Sequence, residues 1–135
     1  MIVDRFRFVV AIATLAALLA GTTFANPNVG ITTNPNAGDI LVDDHGVTLY
    51  RYTADQPNVS ACYGGCAIAW PPVLTDSVPA VEDTRLAGGL SIAPRTDGTQ
   101  QLTYNAMPLY YYVGDTEPGD ITGQGSDNVW FVVNP

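Results

Sequence analysis

The chain has 135 residues, 47% of them hydrophobic, with 13 acidic and 5 basic side chains, which suits one globular domain. Its net charge of −8 excludes nucleic acid as a natural partner, because a polyanion is repelled and no counterion release rewards binding. An anionic membrane surface is disfavoured on the same ground, while cations and basic partners are attracted.

Residues 1–25 read as an export signal rather than as part of the fold. Arg5 and Arg7 precede an apolar, small-residue run from Phe8 to Ala20, and Thr23-Phe24-Ala25 leads into the turn-rich Asn26-Pro27-Asn28. That is the basic, apolar, small-residue order of a secretory signal, and cleavage is expected after Ala25. The run is short for a membrane span of about 20 residues, so a retained anchor is the weaker alternative. Cleavage leaves 12 acidic residues against Arg51, Arg85 and Arg95, a net charge of −9. The first cysteine is Cys62, so no lipid-attached N-terminus is expected. The mature chain is expected to be soluble, secreted or periplasmic, and without a stable membrane anchor.

Asn26 to Gly38 is rich in Asn, Thr, Pro and Gly and reads as an extended arm or linker. It could add an edge strand, but nothing in it demands one. Asp39 to Val42 reads as a short strand, Asp43-Asp44-His45-Gly46 as a turn, and Val47 to Thr53 as the returning strand. Asp55-Gln56-Pro57-Asn58 closes it, and the Asp is most simply a turn organiser that accepts backbone N–H bonds. Cys62-Tyr63-Gly64-Gly65-Cys66 follows, then Ala67 to Trp70, and Pro71-Pro72 forces an extended exit. Thr75 to Gly88 reads as a loop with room for one helical turn over Val81 to Leu86. Leu90 to Ala93, Gln100 to Tyr104, Met107 to Val113 and Val129 to Val133 read as strands, with Asp97-Gly98 as a tight turn. Strands of this length between Gly, Pro, Asn and Asp, with no helical period, predict an all-β domain over residues 39–135. A compact antiparallel sandwich or partly closed barrel is expected.

One phrase occurs twice. Leu49-Tyr50-Arg51-Tyr52-Thr53-Ala54-Asp55 returns as Leu109-Tyr110-Tyr111-Tyr112-Val113-Gly114-Asp115, and the offset of 60 residues also pairs Gly65 with Gly125, Trp70 with Trp130 and Val73 with Val133. A constant offset over such residues is the mark of a unit built twice. Two three-stranded repeats, 39–74 and 89–135, are expected to pack about a pseudo-twofold axis, with Trp70 and Trp130 at equivalent core positions.

These residues resemble a family of bacterial secreted repeat proteins and predicted lipoproteins that carry a Y-x-[FWY]-x-x-D motif. Tyr50, Tyr52 and Asp55 fit it, as do Tyr110, Tyr112 and Asp115. Trp70-Pro71-Pro72, Pro108-Leu109-Tyr110, Pro118-Gly119-Asp120 and Gly123-Gln124-Gly125 belong to the same likeness, which covers nearly all of residues 39–135. The resemblance implies an extracytoplasmic protein of two tandem repeats and implies no reaction. Many relatives carry a lipid-attachment Cys, and this chain departs from them there.

Several constellations invite a chemical reading. Cys62 and Cys66 are the two cysteines of an exported chain, and an even count argues for a disulfide. Closing so short a loop contributes roughly 2 kcal/mol in the chain-entropy model. A redox couple or half a metal site are the other readings; zinc wants four ligands, which two Cys and one His do not supply. His45 beside Asp43 and Asp44 could seed a weak metal site or be an ordinary turn residue. Asp55, Asp115, Glu117 and Asp120 tempt a calcium reading, but turn capping accounts for them better. Seven tyrosines serve core and cross-strand packing, or an aromatic binding surface for a sugar, a flat cofactor or a peptide. Tyr50, Tyr52, Asp55, Tyr110, Tyr112, Asp115, Trp70 and Trp130 are the candidate binding residues.

The favoured function is a secreted, non-catalytic β module that binds a surface component, a cation or a protein partner, with no cofactor implied. The alternatives are an envelope redox or metal-handling protein that uses Cys62, Cys66 and His45, and a hydrolase with an acidic pair.

Overall fold

A computed structural model describes residues 26–135; the expected export signal and its cleavage site lie outside the described residues. The class is all-β. Seven strands run β1 (Val29–Asn34), β2 (Gly38–Asp43), β3 (Tyr50–Tyr52), β4 (Leu90–Pro94), β5 (Gln100–Tyr104), β6 (Met107–Pro108) and β7 (Trp130–Val132). Among the described residues, one short helix, α1 (Gly65–Ala69), and a 3₁₀ turn at Ser126–Asn128 interrupt them. All pairings are antiparallel: β1 with β2, β3 with β7, and β4 with β5 with β6. No closed barrel forms; the three small sheets are joined by single bridges such as Tyr50 to Tyr110 and Leu74 to Gln101.

The segment read as an arm is a true strand. Val29 to Asn34 pairs over its whole length with Asp43 to Gly38, because its Thr and Ile residues suit a pleated, half-buried surface. Val29 is buried against Leu41 and Leu49. The first repeat therefore begins before residue 39. The strands expected over Val47–Thr53 and Met107–Val113 are each cut in two, since the chain changes partner midway. The Leu49 amide donates to Leu41 and the Leu109 amide to Leu102, each within its own half, whereas Tyr50 and Tyr110 bond each other in both directions at 2.8 and 2.9 Å. The third strand of the first repeat is thereby reduced to one bridge, Val42 to Thr48, while the second repeat keeps β6. Helix α1 is five residues long, too short for a 3.6-residue period to show in the sequence. The turn expected in 81–86 is not helical: Asp83 accepts the Leu86 amide on its carbonyl and the Arg85 amide on its carboxylate.

The two halves exchange their last extended segments. The Leu41 amide of the first half donates to Val133 of the second at 2.9 Å, and Leu102 of the second donates to Val73 of the first at 2.8 Å. Thr53 to Val129 and Val113 to Ala69 form the next reciprocal pair, and Asn58 to Ala106 and Gly119 to Gly46 another. The apolar core likewise has members from both halves: Leu41, Leu49 and Val73 pack with Leu102, Leu109 and Val133. Neither half can satisfy its own sheet, and a lone hairpin with one open face is marginal in water.

Residues 26–80 expressed alone should therefore lack the cooperative unfolding transition of the full chain. Mixing them with residues 81–135 should restore it, as read by circular dichroism during a urea titration. A cooperative monomeric half would contradict the exchange as the source of stability.

Candidate functional site

The repeated motif sits on the pseudo-twofold axis and works across it. Tyr50 and Tyr110 are fully buried. The Tyr50 hydroxyl donates to Asp115 Oδ2 at 2.7 Å, and the Tyr110 hydroxyl donates to Asp55 Oδ2 at 2.7 Å. Each tyrosine thus holds the carboxylate of the other repeat. Each aspartate also organises its own loop: Asp55 Oδ1 accepts the Ala61 amide at 2.7 Å and Asp115 Oδ1 accepts the Thr122 amide at 2.9 Å. Burial, with the neighbouring carboxylate adding to it, pushes both phenols well above the ordinary tyrosine range, so both remain donors. Burial also raises the Asp55 pKa, opposed by the Ala61 amide, the Tyr110 hydroxyl and the charge of Arg95.

Between these pairs runs a ladder of four rings. Trp70 and Trp130 stack at 4.1 Å with 2° between planes, Tyr52 lies on Trp130 at 4.2 Å, and Tyr112 on Trp70 at 4.2 Å. Tyr50 and Tyr110 meet Trp70 and Trp130 edge-on at 5.3 and 5.1 Å. Each such contact contributes about 0.5–1.5 kcal/mol beyond the area it buries. Gly123 leaves room for the ladder, since a Cβ there would stand 2.6 Å from Trp70 and 2.9 Å from Tyr112.

A buried cation breaks the symmetry, and the sequence reading missed it. Arg95, just ahead of the Asp97-Gly98 turn, is 5% exposed. Its Nη1 donates to Ser60 Oγ at 3.0 Å and Gln101 Oε1 at 2.8 Å, its Nη2 donates to the Cys62 carbonyl at 2.8 Å, and its plane lies 4.2 Å from the Tyr63 ring. Ser60 Oγ is 2.6 Å from the Tyr110 hydroxyl, so a chain of hydrogen bonds joins Arg95 through Ser60 and Tyr110 to Asp55. In the second half Tyr50 receives only the Gly123 amide, at 3.3 Å. The rarity of cations was the available signal, since each of the three arginines beyond residue 25 in so acidic a protein needs a reason. Cys62 and Cys66 form a disulfide that holds the Cys62 carbonyl beneath Arg95.

Asp43, Asp44 and His45 offer ligand atoms within 4.8 Å of one another. Asp43 is engaged in the turn: its Oδ1 accepts the His45 and Val47 amides, and its Oδ2 accepts the Tyr111 hydroxyl at 2.9 Å. Asp120 Oδ2 accepts the Thr116 and Glu117 amides. These carboxylates cap loops.

The seam between the halves opens as a cleft of about 240 Å³. Its polar wall is Arg51, Tyr52, Thr53, Asp55, Gln56 and Asn105, and its apolar floor is Pro57, Ala106, Met107 and Pro108. Tyr52 and Asp55, two residues of the motif, face the same opening, whereas Tyr50 and Tyr110 do not reach solvent.

A family model described as a secreted repeat of unknown function matches residues 31–74 and again 91–134. Each match ends one residue past the carbonyl, Val73 or Val133, that accepts an amide of the other half. No curated protein and no solved structure matches the chain. Among the described residues, no helix is long and apolar enough to cross a membrane.

Two outcomes follow from this geometry. Gly123→Ala should cost about 1–3 kcal/mol, the usual penalty for overpacking, and should alter the near-ultraviolet circular dichroism of the stacked tryptophans; an unchanged urea midpoint would contradict the ladder as drawn. Because the folded pKa of Asp55 is raised above the ordinary 3.8, the folded chain holds that proton longer. Its contribution to stability is then full in acid and is lost as pH rises through the folded value. Asp55→Asn should therefore gain on the wild type in urea midpoint as pH rises above the ordinary carboxylate value; a loss over that rise would overturn the sign.

Proposed function

Since the chain belongs to this family of secreted repeats, we propose that it is a non-catalytic binding module of the cell envelope or extracellular space, and that it takes a surface component at the seam between its halves. One observation carries the reading. The Tyr50 and Tyr110 hydroxyls and the motif's aspartates are already committed to each other across the axis, so they build a rigid frame rather than a reacting centre. What the frame presents is the cleft, with a cation, a carboxylate, an aromatic ring and two amides converging on a small concave surface. A preformed cleft with a few placed polar groups is the usual form of a ligand site. The acidity of the chain supports an envelope component that is not strongly anionic.

The redox or metal reading has less support. The disulfide encloses Cys62, which is fully buried, and the grouping of Asp43, Asp44 and His45 includes neither cysteine.

The test is sedimentation of the purified protein, from Asn26 onward, with separated envelope fractions: peptidoglycan, neutral polysaccharide and lipid vesicles. Saturable co-sedimentation with one fraction, with no change in that fraction's mass or composition, is expected. Turnover of the fraction, or sedimentation with none, would overturn the reading.

A further inference from the structure

The internal duplication supplies its own control for the cleft. Where the first half carries Arg51, the second carries Tyr111, which packs on the core and donates its hydroxyl to Asp43. Where this cleft has Ala106 of the second half beside the loop of Pro57, the equivalent seam has Gly46 of the first half, and Pro118 closes on it so that a Cβ there would stand at 3.0 Å. The frame is thus complete with an inward-bonded tyrosine at the position of Arg51, and the fold does not require the arginine.

Arg51 differs from the other described arginines. The ion pairs among the described residues engage Arg85, Arg95 and His45, and none engages Arg51. Its guanidinium lies 5.0 Å from the Phe131 ring, and stacking by the face leaves the in-plane N–H donors at its edge. Asp55 lines the same cleft, and each of its oxygens accepts one bond, which leaves further acceptor capacity on both.

Resting on the reading of the chain as a binding module, we propose that this cleft binds an uncharged sugar ring, the terminal unit of a neutral envelope glycan. Each part of the lining has a counterpart in such a ring. A carboxylate and a guanidinium in one cleft suit neighbouring hydroxyls, which donate to the first and accept from the second; a ligand of either charge is opposed by one of them. Gln56 and Asn105 add amides that both donate and accept. Tyr52, held by its stack on Trp130, and the Met107 and Pro108 floor suit the C–H face of the ring. The volume of 240 Å³ lies below the range of about 300–1,000 Å³ usual for larger ligands, so one ring enters and the remainder of the glycan stays outside.

The experiment follows backbone amide NMR shifts of the isotope-labelled protein, residues 26–135. Glucose, galactose, mannose and N-acetylglucosamine are added in turn, then glucuronic acid, glucosamine and an acetylated dipeptide with a free carboxylate. At least one neutral sugar should shift residues 51–57 and 105–108 saturably, with both charged sugars at least about fivefold weaker. Arg51→Ala should weaken that binding by about tenfold, and Arg51→Tyr, the second half's own residue, should do the same with an unchanged urea midpoint. The proposal is overturned if no neutral sugar shifts the cleft, if the charged sugars or the dipeptide bind as well, or if binding survives Arg51→Ala. Envelope sedimentation that is indifferent to Arg51→Ala would overturn the cleft alone and leave the module reading in place; loss of sedimentation by the wild type would remove both.

Discussion

The structure depends on an exchange. Each half gives its last extended segment to the other, and each buried tyrosine donates its hydroxyl to the other half's aspartate. The chain buries its core by pairing two units, neither of which closes a sheet alone. A half-buried carboxylate is costly without hydrogen bonds, and here each is bonded from both sides, by its own loop and by the opposite repeat. The motif is therefore a lock whose two parts lie in different repeats.

The rings follow from the lock. Once the halves cross at Tyr50 and Tyr110, their tryptophans meet on the axis, and Tyr52 and Tyr112 extend the stack outward. Gly123 is the concession the backbone makes to that stack. Because the axis passes through packed rings and paired backbone, the core has few alternative arrangements, and a rigid surface results. Rigid surfaces suit recognition, since little conformational entropy is lost on binding.

Duplication also permits divergence. One half has filled its seam with Tyr111 and Pro118, while the other presents Arg51 and Asp55 to a cleft. Arg95 adds a second asymmetry, a buried charge reached through Ser60 and Tyr110. It supports Asp55 and not Asp115, so the half with the open cleft is also the half whose carboxylate has a cation behind it. The buried Arg95 bonds through both terminal nitrogens while its Nε has no hydrogen-bond partner, and the disulfide holds one of its acceptors, the Cys62 carbonyl, in place.

Much of the architecture was legible in the residues. The all-β class, the doubling, the equivalence of Trp70 and Trp130 and the turn role of Asp55 and Asp115 rest on local pattern and on a constant offset, which are properties of the chain as a string. The β1 strand was ambiguous because Thr and Asn suit both an edge strand and a linker, and only β2 beside it settles the matter. Helix α1 was hidden by its length. The crossed tyrosine–aspartate pairs could not be read at all, since a repeat in sequence does not say whether its polar groups bond within a unit or between units. Ser60 lies 35 residues from Arg95 and joins it and Gln101 in one network only when the fold brings them together. The sequence by itself determined that there are two units of one kind; the tertiary structure alone decided how they interlock and which seam stays open, because those depend on contacts between distant residues that no local preference encodes.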